Sequence, residues 1–312
     1  VLHANATPVF ADINPDTFLI DAKSIQNNIT PATKAIISVA LYGLSPDMDA
    51  ILEITKEHNL VLIEDNAQAF LSYCQGKLAG KFGNSASFSF QSSKHMTSGE
   101  GGIIITDDED YALRIRKFSG LGYSTLSSKK ARITKDEIQH PTFERHDFLG
   151  WNYRMPELCC ACALGQLEHL DELIQVRIDS AKIFNAAIRS CSWLIPQHVP
   201  ENYVSSYWTL ACKLAPNTVT WDDFREKFLA FGGHKFYGAW QLTYLEPLFL
   251  NRCFANRSRF VSRRYEKGLC PAAESIQPNL IQFKTNFWNQ EDAEKQADIL
   301  QKTIRYFDGG RL

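Results

Sequence analysis

No apolar run in this chain of 312 residues is long enough to cross a bilayer. The run LVLIE is only five residues and reads as a buried strand. Charge of neither sign is in excess: 33 Lys and Arg against 35 Asp and Glu leave a formal −2. That balance excludes the basic footprint of a nucleic-acid binder or an anionic-membrane binder. The pattern G-x-G-x-x-G opening a helix is absent, as is a Walker loop, so neither dinucleotide nor P-loop chemistry is expected. Cysteines in zinc spacing are lacking too. Cys159, Cys160 and Cys162 fall in the helical run PELCCACALGQLEHLDEL without a second ligand pair, and are expected to be small core residues. With no disulfide framework and no signal peptide, the chain reads as a reduced, cytoplasmic protein. Internal repeats and low-complexity tracts are also missing.

What is present is length for two domains and, at 45% apolar residues, material for ordinary cores. The first half alternates strand and helix patterns. TPVFADI, TKAIISVAL, LVLIE, ASFSF and GGIIIT read as strands, and PDMDAILEITKEHN and DEDYALRIRKFS as helices. This order predicts an α/β domain with a mostly parallel sheet covered on both faces. Residues 121–146 are polar and predicted to be an exposed loop. A long helical pattern from Pro156 to about Ile188 then links to a second, mixed domain. There SYWTLACKLA reads as a strand, while WDDFREKFLAF and NQEDAEKQADILQKTIRYFD read as amphipathic helices. The expected division is 1–172 for a large domain and 173–312 for a smaller α+β domain.

Two segments carry the chemistry, IEDNAQA and SFSFQSSKHMTSGEGG. Asp65 closes an apolar strand, at the end where open α/β sheets bind ligands. Alone it would read as a helix cap, and Lys94 alone as a solvated loop lysine. Together, a strand-end carboxylate and a lysine on a following loop are what pyridoxal 5′-phosphate (PLP) needs. The carboxylate keeps the ring nitrogen protonated, and the lysine forms a Schiff base with the aldehyde. Ser89 ends the strand before Lys94, where a hydroxyl could meet a phosphate. Gly99, Gly101 and Gly102 would let backbone pack closely against a ring.

These segments, with GWNYRMPELCCACALGQLEHLD, resemble the DegT/DnrJ/EryC1/StrS family of PLP-dependent sugar aminotransferases. The similarity runs from PVFADINPDTFLID through ALYGLSPDMDAI to the closing helix. The resemblance implies the fold type I aminotransferase fold and a homodimer with shared active sites. It implies that Lys94 bears the cofactor, Asp65 pairs with the pyridine nitrogen, and Gln68 lies near the phenolic oxygen. Ser89 then contacts the phosphate, and Asn152 reaches the phosphate in the neighbouring subunit's site. The reaction implied is amino transfer from an amino acid, glutamate by resemblance, to a nucleotide-linked keto-deoxy sugar. Such amino sugars serve surface polysaccharide or deoxyaminosugar biosynthesis.

The segment GGHKFYGAWQLTYLEPLF resembles the perosamine synthase-like branch. Its Tyr237, Trp240 and Tyr244 read equally as a sugar pocket or as plain packing. Two other readings stand beside the leading one. Family members with histidine at the lysine position are dehydratases, which Lys94 argues against. A non-catalytic or truncated relative is the other. The chain opens at Val1, and the family's usual Gly-Thr phosphate turn and ring-stacking aromatic lie upstream of any residue here. The expectation is therefore an N-terminally truncated fragment that binds PLP weakly on its own.

Overall fold

Short apolar runs bounded by turn residues make the first sheet. The computed structural model describes all residues except 125, 127–134, 255–262 and 310–312, and not the side chains of 137 and 138. Helix α1 (Ala22–Asn28) starts where the Asp21 carboxylate accepts the Ser24 N–H, a side-chain cap. Strand β1 (Ala35–Val39) leads to α2 (Met48–His58), capped by Asp47 and ended by Asn59 in the left-handed conformation. Strand β2 (Val61–Asp65) runs parallel to β1, with Val39 opposite Asp65. After a short hairpin of β3 (Tyr73–Cys74) and β4 (Lys77–Leu78) comes β5 (Ser85–Ser89), parallel to β2 with Asp65 opposite Ser87. Strand β6 (Gly102–Ile105) returns antiparallel, pairing Ser89 with Gly102. The order β1-β2-β5-β6 puts Asp65 and Ser89 at one end of the sheet.

Ile25, Ile36, Met48, Ile51 and Leu62 pack α1 and α2 on one face. Each such buried side chain contributes about 1.5–3 kcal/mol. Phe70, Phe90, Met96, Ala163, Leu170 and Ile174 form a separate core with the helices that follow. Of the helices that follow, α3 (Glu109–Ser119) and α4 (Lys135–Gln139) contribute no described residue to this core, which is built with α5 (Glu157–Leu167) and α6 (Leu170–Ile188). The helical pattern expected from Pro156 onward is thus broken at Glu168–His169.

The second sheet is antiparallel, in the order β10-β11-β9-β7. Its strands are β7 (Leu194–Pro196), β9 (Thr209–Leu214), β10 (Tyr237–Gly238) and β11 (Leu280–Lys284), while β8 (Tyr203–Val204) joins the β3–β4 hairpin. Helices α7 (Trp221–Ala230) and α10 (Gln290–Phe307) and the second half of α6 cover it through Phe184, Phe224, Phe228, Phe283 and Leu300. Two short helices, α8 (Pro247–Leu250) and α9 (Pro271–Ile276), complete the set used below. The expected boundary at 172/173 falls inside α6, which reaches the first core through Ile174 and the second through Phe184.

Two expectations are corrected. TPVFADI is not a strand. Its residues are taken up by other contacts, with Phe10 against Tyr244, Phe249 and Tyr265, while Asp12 accepts the N–H groups of Ala272 and Ala273 on α9. The three cysteines of α5 are not core residues: Cys160 and Cys162 are exposed and Cys159 is half-buried. That helix is apolar around most of its girth, and only Ala163 is buried.

Candidate active site

Strand β2 alternates, so Leu62 and Glu64 share its buried face and Asp65 turns to the other. Glu64 is buried and bonded: its Oε1 accepts the N–H groups of Phe82 (2.8 Å) and Gly83 (2.6 Å), and its Oε2 that of Gly80 (2.6 Å). It holds the turn that returns the chain to β5. Asp65 Oδ1 accepts the Ala67 N–H at 3.1 Å, a local turn that fixes the carboxylate at the strand end.

Gln68 follows on this turn. Its Oε1 accepts the backbone N–H of Tyr42 at 2.8 Å, which leaves Nε2 as the side chain's donor. Tyr42 lies in the left-handed region (φ 65°, ψ 9°) just beyond β1. Gly43 follows at φ 102°, where a Cβ would sit 2.4 Å from the Tyr207 nitrogen, so only glycine fits.

Lys94 lies in a tight turn after β5, where its N–H donates to the Gln91 carbonyl at 2.9 Å. The turn is braced by Gln91 Oε1, which accepts from the Ser93 N–H and hydroxyl. The Lys94 ammonium lies over the Trp208 ring, 4.7 Å from its centroid. Burial lowers the Lys94 pKa below the ordinary lysine value, opposed by the negative charge of Asp65. The two residues singled out in the sequence therefore act on one another. Ser89 Oγ, at the end of β5, accepts the Gln91 N–H at 3.3 Å.

Asn152 stands apart from this group. It is exposed and bridges to Gly120, and its Oδ1 accepts from Arg154 Nε at 2.9 Å. The glycines after Lys94 also have local reasons: a Cβ on Gly102 would meet the Phe88 carbonyl at 2.7 Å, and one on Gly101 the Met155 sulfur at 2.8 Å. Tyr244 is buried, its hydroxyl donating to Glu274 at 2.6 Å, whereas Tyr237 and Trp240 are exposed.

Three residues that build the site or its surroundings were not singled out in the sequence. Glu64 had a signal, since strand alternation puts it with Leu62. Trp208 and Arg177 had none, because both reach Ser93 across more than eighty residues of chain. The set comprises an amine shifted towards neutrality, a strand-end carboxylate, an amide donor and a strand-end hydroxyl. These fit a flat cofactor with a basic ring nitrogen, an aldehyde and anionic oxygens.

The DegT/DnrJ/EryC1/StrS aminotransferase family model matches residues 1–300. The GDP-perosamine synthase of Escherichia coli O157:H7 is 36% identical over 212 residues, 68% of this chain and 53% of that protein. The chain spans about half the length of the curated relatives it matches. Among solved structures, an aminotransferase from Psychrobacter cryohalolentis superposes with a TM-score of 0.86 at 23% identity, covering 99% of this chain and 78% of that one. The GDP-4-keto-6-deoxy-D-mannose-3-dehydratase of E. coli, solved with bound hydrated PLP, gives 0.75 at 23% identity, covering 96% and 74%. These likenesses show the fold of the PLP-dependent aminotransferases.

Proposed function

The chain belongs to the DegT/DnrJ/EryC1/StrS aminotransferase family, and from that premise we propose that it serves a PLP-dependent sugar aminotransferase. The amino group passes from an amino acid, glutamate, to a nucleotide-linked keto-deoxy sugar, and the donor leaves as its keto acid. The observation that carries this reading is Lys94, half-buried and shifted towards the neutral amine, within the field of Asp65.

PLP supplies an aldehyde and a ring that withdraws electrons from the carbon being deprotonated. Asp65 holds a proton on the ring nitrogen by charge. Gln68 Nε2, oriented by the bond from Tyr42 to Oε1, would be the donor for the ring oxygen, and Ser89 Oγ would help to hold the phosphate. Lys94, its amine shifted towards the neutral form by burial, is the residue that would hold the cofactor covalently. Freed from that bond, the Lys94 Nζ would be the base that accepts the proton from the donor's α-carbon and later returns it. A lysine here, rather than histidine, favours amino transfer over the dehydration carried out by the E. coli structural neighbour.

Asn152 is assigned to the site of a second subunit. Trp151 and Tyr153 beside it are exposed, as are Leu158 and Leu164 on α5, which supports a homodimer covering this face. All eight cysteines are unpaired, in keeping with a reducing cytoplasm.

The test is borohydride reduction of the PLP-loaded protein followed by peptide mapping. The phosphopyridoxyl group is expected on Lys94, and a label on Lys77 or Lys81 would overturn the assignment. Turnover with glutamate and a GDP-linked 4-keto-6-deoxy sugar tests the substrate class.

A further inference from the structure

Arg177, on α6, is buried and has no carboxylate within ion-pair distance among the described residues. Burial pushes its pKa down to about 10. Burying a guanidinium without a counter-ion is costly, and packing alone would be served by leucine or methionine. What this side chain adds is a planar fork of donors, and the fork spans two parts of the molecule. Its Nη2 donates to the Lys94 carbonyl at 3.0 Å and reaches that of Ser93 at 3.5 Å. Its Nη1 donates to the Trp208 carbonyl at 2.9 Å and reaches the Thr285 hydroxyl at 3.4 Å.

Trp208 immediately precedes β9 and Thr285 immediately follows β11, so Arg177 grips one end of the second sheet. The same junction is closed from both sides. Trp208 Nε1 donates to the Ser93 carbonyl at 2.7 Å, Thr285 Oγ1 donates to the Tyr207 carbonyl at 2.7 Å, and His95 Nε2 meets the Ser206 carbonyl at 3.0 Å. The turn bearing Lys94 is therefore fastened to α6 and the end of the second sheet as well as to the strand it leaves.

We propose that Arg177 is a positioning residue for Lys94. It fastens the Ser93 and Lys94 carbonyls to the Trp208–Thr285 end of the second sheet, and so fixes where the amine stands relative to Asp65. The docking of the second sheet then controls the reach of the amine. A lysine cannot replace the arginine, because one ammonium on a flexible stem cannot hold both sides of the junction.

This inference rests on Lys94 being the cofactor-bearing amine, and the experiment separates the two ideas. Arg177→Lys and Arg177→Gln are made in the full chain and checked for folding by circular dichroism and melting. Two readouts are compared with the parent. One is the dissociation constant of 4′-deoxypyridoxine 5′-phosphate, which lacks the aldehyde and reports non-covalent binding. The other is the rate at which PLP becomes trapped on Lys94 by borohydride. The expected result is a split: analogue binding within about twofold, and trapping slowed about tenfold or more by the misplaced amine. Trapping at the parental rate, or equal loss of both readouts, overturns the proposal. If neither variant folds, Trp208→Phe, which removes the other donor to Ser93, is expected to give the same split, and parental trapping there overturns it. A parental protein that traps PLP elsewhere than Lys94 instead refutes the functional reading itself.

Discussion

The side-chain oxygen of Gln68 accepts the backbone N–H of Tyr42 at 2.8 Å, and so pins a tyrosine held at positive φ. A non-glycine residue in that conformation costs roughly 1–2 kcal/mol, which its surroundings must offset. Gly43 continues the turn, its carbonyl accepting the Ser206 N–H at 2.9 Å. One glutamine thus supports a strained turn with its oxygen and offers its nitrogen to the site.

Gln68→Leu is expected to lose the acceptor and destabilise the chain by about 1–3 kcal/mol, read from urea unfolding. Gln68→Glu keeps an acceptor for Tyr42 and should retain stability, while placing an anion where a donor is needed. Its affinity for PLP should fall. Equal stability of the leucine variant and the parent would show that the turn holds without Gln68.

Glu64→Ala removes the acceptor of three backbone N–H groups at once, those of Gly80, Phe82 and Gly83. Left without partners in a largely buried setting, they are expected to cost on the order of 3–5 kcal/mol or to prevent folding. Soluble yield and melting temperature are the measurements, and a melting temperature near the parent's would count against this role.

His95 gives the stability a specific acid dependence. Burial first, and the charge of Arg177 second, push its pKa from 6.5 down to about 3. Between those values the unfolded chain takes up a proton that the folded chain refuses. The stabilisation is therefore fully present above pH 6.5 and is lost as pH falls, by roughly 1.4 kcal/mol per pH unit. Urea midpoints measured from pH 7 to pH 4 should fall more steeply for the parent than for His95→Gln. Parallel curves would rule out the histidine as the cause.

Asp65→Asn keeps the shape of the strand end and removes its charge. A unit-charge pair at about 4 Å with an effective dielectric near 20 is worth roughly 4 kcal/mol. Enough of that is lost that single turnover with glutamate should slow at least about a hundredfold, with little change in melting temperature. Near-parental turnover would mean that the ring nitrogen is governed by something else.

Much of the first sheet was legible because its strands are short apolar runs with turn residues on both sides. The same runs placed Asp65 and Ser89 at strand ends and Lys94 just beyond. Gln68 was singled out through the family likeness, but its bond to Tyr42 was not legible, since the partner follows the neighbouring strand and offers only a backbone N–H. The short apolar run VFA misled in TPVFADI, where Phe10 and Asp12 meet an aromatic cluster and a helix start rather than a neighbouring strand. Apolar content misled at Cys160 and Cys162, because a helix that is apolar on several sides does not say which side its own chain will cover. Arg177 and Trp208 were invisible for a plainer reason. Their hydrogen bonds join backbone carbonyls far away in sequence, and carbonyls carry no residue signature.

The antiparallel return of β6 beside β5 bears on the order of events during folding. Pairing Ser89 with Gly102 closes only residues 90–101, whereas the parallel pairings of β1 with β2 and β2 with β5 must wait for intervening crossovers. Loop-closure entropy favours the short excursion, and antiparallel neighbours of low sequence separation form early. The turn carrying Lys94 is therefore expected to be looped out before the strand bearing Asp65 is in register beside it. Its final setting waits for α6 and the second sheet, which supply Arg177 and Trp208 last. Amide protection should accordingly appear on Phe88 and Ile103 well before the surroundings of Lys94 become native.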